Sequence, residues 1–226
     1  TMGKKSALTL TLSFFGSTVA TPLLSFFRNN GLKIGLMLLC FIFLFKIGEA
    51  FMGKMSIIFY KEVGFSKSDI AIYSKGLGWV VTVVSSLLGA YVAVRSGVVR
   101  ALLLAGLFMA GTNLLFSVLA WSGRVEWLFA LAVVIDDLAA AIATVIFVAF
   151  ISLLVDRNYT ATQYALLASI GTLGRTFLAS SSGALVDWLN GDWGTFFIIT
   201  AVMVSPSLAL LWWMRGPLAS LDRKKG

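Results

Sequence analysis

The chain alternates long apolar runs with short polar connections. Apolar runs bounded by charged residues, glycine or asparagine predict six helices, at residues 32–60, 69–94, 100–122, 126–155, 159–188 and 193–215. Each run is long enough, at about 1.5 Å per residue, to cross a hydrocarbon core of about 30 Å. The pattern therefore predicts an all-α membrane protein with six transmembrane helices.

Charged residues are spread unevenly over these helices. The first, second, fourth and fifth carry charge within their apolar lengths, at Lys46, Glu49, Lys54, Lys75, Asp136, Asp137 and Arg175. A charge in lipid is costly unless it faces protein or water, so we expect the charged helices to line an interior and the uncharged third and sixth to face lipid. This order occurs twice and predicts a 3+3 repeat, which many secondary transporters share.

Composition narrows the functions open to the chain. Of its 226 residues 59% are hydrophobic and 12% charged, so the helices leave no room for a soluble domain. The single Cys40 and the absence of histidine remove the usual zinc and haem ligands and the usual Cys/His catalytic pairs. No phosphate-binding loop of the Walker type is present. We therefore expect no cofactor, no metal and no enzymatic activity.

The net charge of +8 indicates membrane topology rather than a nucleic-acid partner. One set of loops and ends contains Arg28, Lys33, Arg95, Arg100, Arg157, Arg215, Arg223, Lys224 and Lys225. The opposite set contains only Lys61, Lys67 and Arg124. Because short cytoplasmic loops are rich in Lys and Arg, the first set predicts the cytoplasmic side, and both termini lie there.

The chain divides into three predicted regions. Residues 1–31 are expected to be a connecting or interfacial segment or the remnant of a preceding helix, and whether 6–27 cross the membrane is left open. Residues 32–215 form the six-helix unit, and 216–226 a basic cytoplasmic tail. Thr1 precedes Met2, which favours an incomplete chain, although Met2 is also a candidate start.

Five charged residues are expected near the middle of the membrane: Lys46, Glu49, Asp136, Asp137 and Arg175. Lys46 and Glu49 are three residues apart, so they share a helix face and can pair. Two cations oppose three carboxylates, so one carboxylate lacks a cation, and an apolar environment favours its neutral form. We expect Asp136 or Asp137, and next Glu49, to exchange a proton; the alternative is an ion-pair network that only holds the helices together.

Other polar residues are candidates for binding a solute. The Arg175 guanidinium can hold a carboxylate or phosphate with two hydrogen bonds, and its alternative role is to pair with Asp136 or Asp137. Lys46 and Lys75 can contact anionic groups, although for Lys75 the favoured interpretation is that it reaches the membrane surface. Gln163 and Tyr164 can offer hydrogen bonds at the cytoplasmic mouth of a cavity.

Several segments carry a family resemblance: Phe45-Lys-Ile-Gly-Glu-Ala-Phe, Tyr73-Ser-Lys-Gly-Leu-Gly-Trp, Ile135-Asp-Asp-Leu with Phe147-Val-Ala-Phe, and Tyr159-Thr-Ala-Thr-Gln-Tyr-Ala-Leu-Leu through Gly174-Arg. Together they resemble the second half of the AmpG-type muropeptide permeases of the major facilitator superfamily, over about residues 26–215. The resemblance implies a twelve-helix bacterial inner-membrane protein with proton-coupled uptake of anhydro-muropeptides. It also implies that the N-terminal six-helix half is missing from this chain.

The loop Arg95-Ser-Gly97-Val-Val-Arg100 resembles the cytoplasmic loop motif of that superfamily between the second and third helices of a repeat. The resemblance implies a gating role for Arg95, Gly97 and Arg100. The sequence departs from the motif at Val94, where an acidic residue is often found.

The expected partners are a small-molecule solute, protons and the lipid bilayer, with no nucleic acid. Related members of the broader family are similar to acetyl-CoA transporters, so an acetyl-CoA-type substrate is an alternative. A non-transporting sensor or assembly subunit derived from a transporter half is a second alternative. An intramembrane enzyme that uses Asp136 and Asp137 is the least supported.

Overall fold

The computed structural model describes residues 20–72 and 78–225. These residues form eleven α-helices: α1 (Thr21–Asn30), α2 (Leu32–Leu44), α3 (Ile47–Glu62), α4 (Lys67–Ala71), α5 (Gly78–Ser96), α6 (Val98–Ser122), α7 (Glu126–Leu154), α8 (Thr160–Ser180), α9 (Ser182–Trp188), α10 (Trp193–Met203) and α11 (Ser205–Lys225). A 3-10 turn at Arg157–Tyr159 joins α7 to α8. No β-strand occurs in the described ranges, so the all-α membrane fold is confirmed.

Five helical spans in the described residues are long and apolar enough to cross a membrane: Leu32–Glu62, Trp79–Ser96, Val98–Ser122, Glu126–Leu154 and Trp193–Leu218. The fifth predicted helix is present as α8 and α9 but is not among these five. Its serines, threonines, glycines and Arg175 make it less apolar than the other helices. The 3+3 arrangement of six spans therefore stays a prediction.

Three of the predicted helices are interrupted. The first breaks at Phe45 and Lys46, between α2 and α3. The fifth breaks at Ser181, where serine hydroxyls donate to carbonyls three residues earlier and compete with the helical pattern. The sixth breaks at Val204; Pro206 then lies in the first turn of α11, where proline is tolerated. Apolar runs alone do not mark such breaks, and the sequence predicted continuous helices.

The helices pack into two apolar cores, one towards each end of the bundle. The first is built by α2, α6, α7 and α11, with stacked rings of Phe45 and Phe147 5.2 Å apart. The second is built by α3, α6, α7 and α10, where Phe59 lies against Phe197 at 4.8 Å. The five charged residues that were expected near the middle of the membrane lie between the two cores. The α7 helix packs against α5 and α6, and α8 packs against α2 and α3.

The third predicted helix, α6, is only partly as expected. One face exposes Leu104, Leu107 and Leu114, as a lipid-facing helix should. The opposite face buries Thr112 and Asn113 against the rest of the protein. Absence of charge therefore predicted the outer face of this helix but not its inner face.

Tryptophans lie at several ends of the membrane-spanning helices. Trp121, Trp127 and Trp188 are exposed at helix ends, where an aromatic ring suits the headgroup region. Trp193 differs, because it is only 7% exposed and its Nε1 donates to Glu62 Oε2 at 2.7 Å. This contact joins the end of α3 to the start of α10.

The segment before the first span is helical from Thr21 and lies against the loop between α7 and α8. Asn29 Nδ2 and Ser25 Oγ donate to Asp156 Oδ2, at 2.9 and 3.1 Å. Gln163 Nε2 donates to the Pro22 carbonyl at 2.8 Å. Residues 1–19 lie outside the described residues, and with them most of the predicted connecting segment.

Candidate functional site

The break between α2 and α3 positions the first charged pair. Lys46 is the residue before α3, and Glu49 lies in the first turn, where the helix dipole favours a carboxylate. Lys46 Nζ lies 2.9 Å from Glu49 Oε2, and both side chains are largely buried. Lys46 Nζ also donates to Thr144 Oγ1 at 2.8 Å, which ties the start of α3 to α7.

Arg175 brings α8 into the same cluster. Its Nη2 lies 3.4 Å from Glu49 Oε1, so Glu49 contacts a cation with each oxygen. The sequence proposed Asp136 or Asp137 as the partner of Arg175, and the structure pairs it with Glu49 instead. The reason is the close approach of α8 to the first span: a Cβ on Gly174 would overlap the Phe43 carbonyl, so only glycine permits this spacing.

A cavity of about 200 Å³ lies between α3, α7 and α8. Its polar lining includes Glu49, Asp136, Asp137 and Arg175, with Ser56 and Tyr60 nearer one end. Asp136 Oδ1 accepts a hydrogen bond from Thr112 Oγ1 of α6 at 2.9 Å. Together with Lys46, the cluster contains two cations and three carboxylates. Four of the five residues expected at one depth thus line one cavity, and the fifth pairs with one of them.

Arg175 also faces a second, more open groove of about 390 Å³ between α3 and α8. Lys54, Thr172, Thr176 and Ser180 line this groove. The Arg175 side chain is 49% exposed, and Gly53 beside it leaves room for the guanidinium. A cation placed between a carboxylate-lined cavity and an open groove can bind an anionic group that enters from the groove.

No family model matches this sequence. Comparison with curated proteins finds relatives over nearly the whole chain. It is 31% identical to AmpG 4 of Rickettsia conorii over 198 residues, which is 88% of this chain and 47% of that protein. The chain belongs to the AmpG family of transporters. It is also 31% identical to the anhydromuropeptide permease of Escherichia coli K12 over 194 residues, 85% of this chain and 38% of the permease.

This chain spans about half the length of the curated relatives it matches. AmpG 4 of Rickettsia felis shows the same proportion, with 87% of this chain and 46% of that protein aligned at 30% identity. The sequence resemblance to a permease half is confirmed by these matches.

Two predicted site residues lie away from the cavity between α3, α7 and α8. Gln163 is 2% exposed, and its Oε1 accepts from the Asp156 backbone N–H at 2.6 Å. It is twelve residues from Arg175 on the same helix, about 18 Å along the axis. Tyr164 is half-buried against the apolar core that contains Phe147. The structure does not bring these two residues together with the charged cluster, and Lys75 lies outside the described residues.

The predicted gating residues form a separate site at the turn between α5 and α6. Arg95 is exposed in the last turn of α5, and Arg100 is exposed in the first turns of α6. Gly97 between them has φ of +78°, a conformation that favours glycine. The tight turn accounts for Gly97 whatever its role in gating.

The sequence reasoning missed Thr112, Ser56 and Tyr60. Thr112 and Asn113 are two adjacent polar residues within a largely apolar helix. This was the available signal, because a polar residue buried in a membrane helix needs a partner. Counting only formal charges overlooked it.

Proposed function

We propose that this chain is the C-terminal six-helix half of a secondary active permease of the major facilitator superfamily. The complete transporter takes up anhydro-muropeptides or a similar polar cell-wall-derived solute together with protons. The name of the Escherichia coli relative supports this solute class. The half-length match supports a second six-helix half, which would face the open side of the bundle.

The observation that carries the proposal is the cavity shared by Glu49, Asp136, Asp137 and Arg175. In this account Arg175 binds an anionic group of the solute, and Lys46 holds Glu49 in place. The cluster has one carboxylate more than it has cations, so uptake of one proton makes it neutral. A proton bound at Asp136 or Asp137 thereby removes an uncompensated charge from the membrane interior before the helices move.

The surroundings of the cavity fit alternating access at an inner bacterial membrane, with both termini cytoplasmic. Thr82, Ser86 and Ala90 recur at every fourth residue of α5 and form a stripe of small residues, two of them hydroxyl-bearing, which we assign to the water-filled side. The turn with Arg95, Gly97 and Arg100 is the proposed cytoplasmic gate. Lys75, which lies outside the described residues, is proposed to contact an anionic group of the solute.

The test is uptake of a labelled anhydro-muropeptide by the full-length natural protein in lipid vesicles, with and without an acidic exterior. We expect the pH gradient to accelerate uptake by the native protein. Asp136→Asn or Asp137→Asn should remove that acceleration, and Arg175→Gln should weaken solute binding at least about tenfold, since a lost charge-assisted pair costs roughly 1.5–3 kcal/mol.

Asp187→Asn is the matched control, because Asp187 is an exposed aspartate on α9 that does not line the cavity. It should leave uptake and its pH dependence unchanged. The proposal would be contradicted if uptake by the native protein did not depend on the pH gradient. It would also be contradicted if uptake kept its pH dependence in every carboxylate variant.

A further inference from the structure

Thr112 makes two contacts with a single hydroxyl. It is 2% exposed on the inner face of α6. Its Oγ1 lies 2.9 Å from Asp136 Oδ1 and 2.9 Å from the carbonyl oxygen of Met109. A hydroxyl has one proton to donate and two lone pairs that accept. It can therefore donate fully to only one of these two oxygens at a time.

The two contacts match the two protonation states of Asp136. When Asp136 is charged, the Thr112 hydroxyl donates to the carboxylate. When Asp136 is neutral, the carboxyl O–H donates to Thr112 Oγ1, and the Thr112 proton turns to the Met109 carbonyl. Rotation of one hydroxyl thus leaves the carboxyl with a hydrogen-bond partner in both states, where a missing partner in the protein interior is costly.

We infer that Thr112 is a positioning residue for proton exchange at Asp136, with its hydroxyl serving as donor to the charged carboxylate and acceptor from the neutral acid. The inference rests on the proposed proton-coupled function. It adds the third helix of the unit, which carries no charge in its apolar length, to the proton-exchange site.

The other groups that face Asp136 do not replace Thr112. Glu49 and Tyr60 reach the cavity from α3, Asp137 from the same helix, and Arg175 from α8. Of the side chains in the described residues, only Thr112 hydrogen-bonds to Asp136.

The helices α5, α6 and α11 also pack against α7, and their charged or titratable groups are distant from Asp136. On α11 the first of these groups is Arg215, ten residues after Ser205, about 15 Å along the helix. Arg100 of α6 is twelve residues from Thr112, about 18 Å along the helix. On α5, Gly89 meets the backbone of Ile142, six residues beyond Asp136. Tyr91 and Arg95 follow Gly89 and lie further towards the turn at Gly97.

The test is infrared spectroscopy of the full-length protein in lipid, titrated with acid and base. Asp136→Asn identifies the band of the protonated Asp136 carboxyl. Thr112→Val removes the hydroxyl and keeps the shape. A hydrogen bond to a charged group is stronger than one between neutral groups, so the Thr112 hydroxyl stabilises the charged form of Asp136 more than the neutral form. In Thr112→Val the midpoint of the Asp136 titration should therefore lie at a higher pH than in the native protein, by about half a pH unit or more.

Two controls separate this role from a structural one. Thr112→Ser keeps a hydroxyl and should keep the native midpoint. Thr200 is also fully buried, and its Oγ1 also donates to a carbonyl three residues earlier, that of Phe197, at 2.9 Å. Thr200→Val should therefore leave the midpoint unchanged. If Thr112→Val does not fold, Thr112→Ala supplies the same loss of the hydroxyl.

The outcomes distinguish the inference from the function on which it rests. A native midpoint in Thr112→Val or Thr112→Ala, with a band that Asp136→Asn abolishes, overturns the role of Thr112 and leaves proton exchange at Asp136 in place. A native protein that shows no Asp136 band at any pH at which it stays folded overturns proton exchange at this residue itself.

Discussion

At the scale of residues, Glu49 organises the charged cluster, because its two oxygens contact cations from different helices. The contact with Lys46 was predictable, since residues three apart in a helix share a face. The contact with Arg175 was not, because it depends on how closely α8 approaches the first span at Gly174. Thr112 was missed for a similar reason: its role depends on the neighbouring helix that carries Asp136.

A double-mutant cycle tests the pair of Lys46 and Glu49. Each of Lys46→Gln and Glu49→Gln removes one partner of a largely buried ion pair, so each should lower the free energy of unfolding by about 1–3 kcal/mol. The double variant removes both charges, and its cost should fall short of the sum by about 1 kcal/mol or more. Chemical unfolding in detergent measures the free energy of unfolding of the native protein, the two single variants and the double variant.

The control pair is Arg124 and Glu126, which lie 3.6 Å apart with side chains 52% and 62% exposed. Exposed pairs contribute little, so the same cycle with Arg124→Gln and Glu126→Gln should give a coupling of about 0.5 kcal/mol or less. Equal coupling at both pairs would show that burial does not strengthen the contact of Lys46 with Glu49.

At the scale of elements, the sequence predicted where helices lie better than how they are interrupted. The ends of the predicted third and fourth helices match α6 and α7 within two residues. The breaks at Phe45–Lys46 and Val204 were missed, since both lie within apolar runs that a continuous helix would explain equally well. The sequence pattern alone does not distinguish such a break from a continuous helix.

Labelling with a water-soluble maleimide tests which of α5 and α6 meets water and which faces lipid. In a Cys40→Ser background, Ala90→Cys and Leu104→Cys place single thiols on α5 and α6. Both positions are exposed, and each is six residues from the helix end next to Gly97. The thiol at 90 should react at least about tenfold faster, because only α5 is proposed to meet water, and a thiol in lipid does not ionise. Similar rates at both positions would contradict this assignment.

At the scale of the whole molecule, the chain spans about half the length of its curated relatives, and an open groove lies beside its charged cavity. The all-α fold and the family were predictable, because long apolar runs and the segments around Glu49, Asp136 and Arg175 are local features of the sequence. The shape of the cavity was not, since it is set by the packing of α3, α7 and α8 around it. The proposed function requires that these carboxylates carry protons together with the solute.

The most direct test follows proton entry and solute entry at once. Full-length protein in vesicles with a pH-sensitive dye inside is given an anhydro-muropeptide without an imposed gradient. The account predicts that solute entry acidifies the interior, and that Asp136→Asn exchanges solute across the membrane but no longer brings protons in. Solute accumulation by the native protein with no change of internal pH would contradict it.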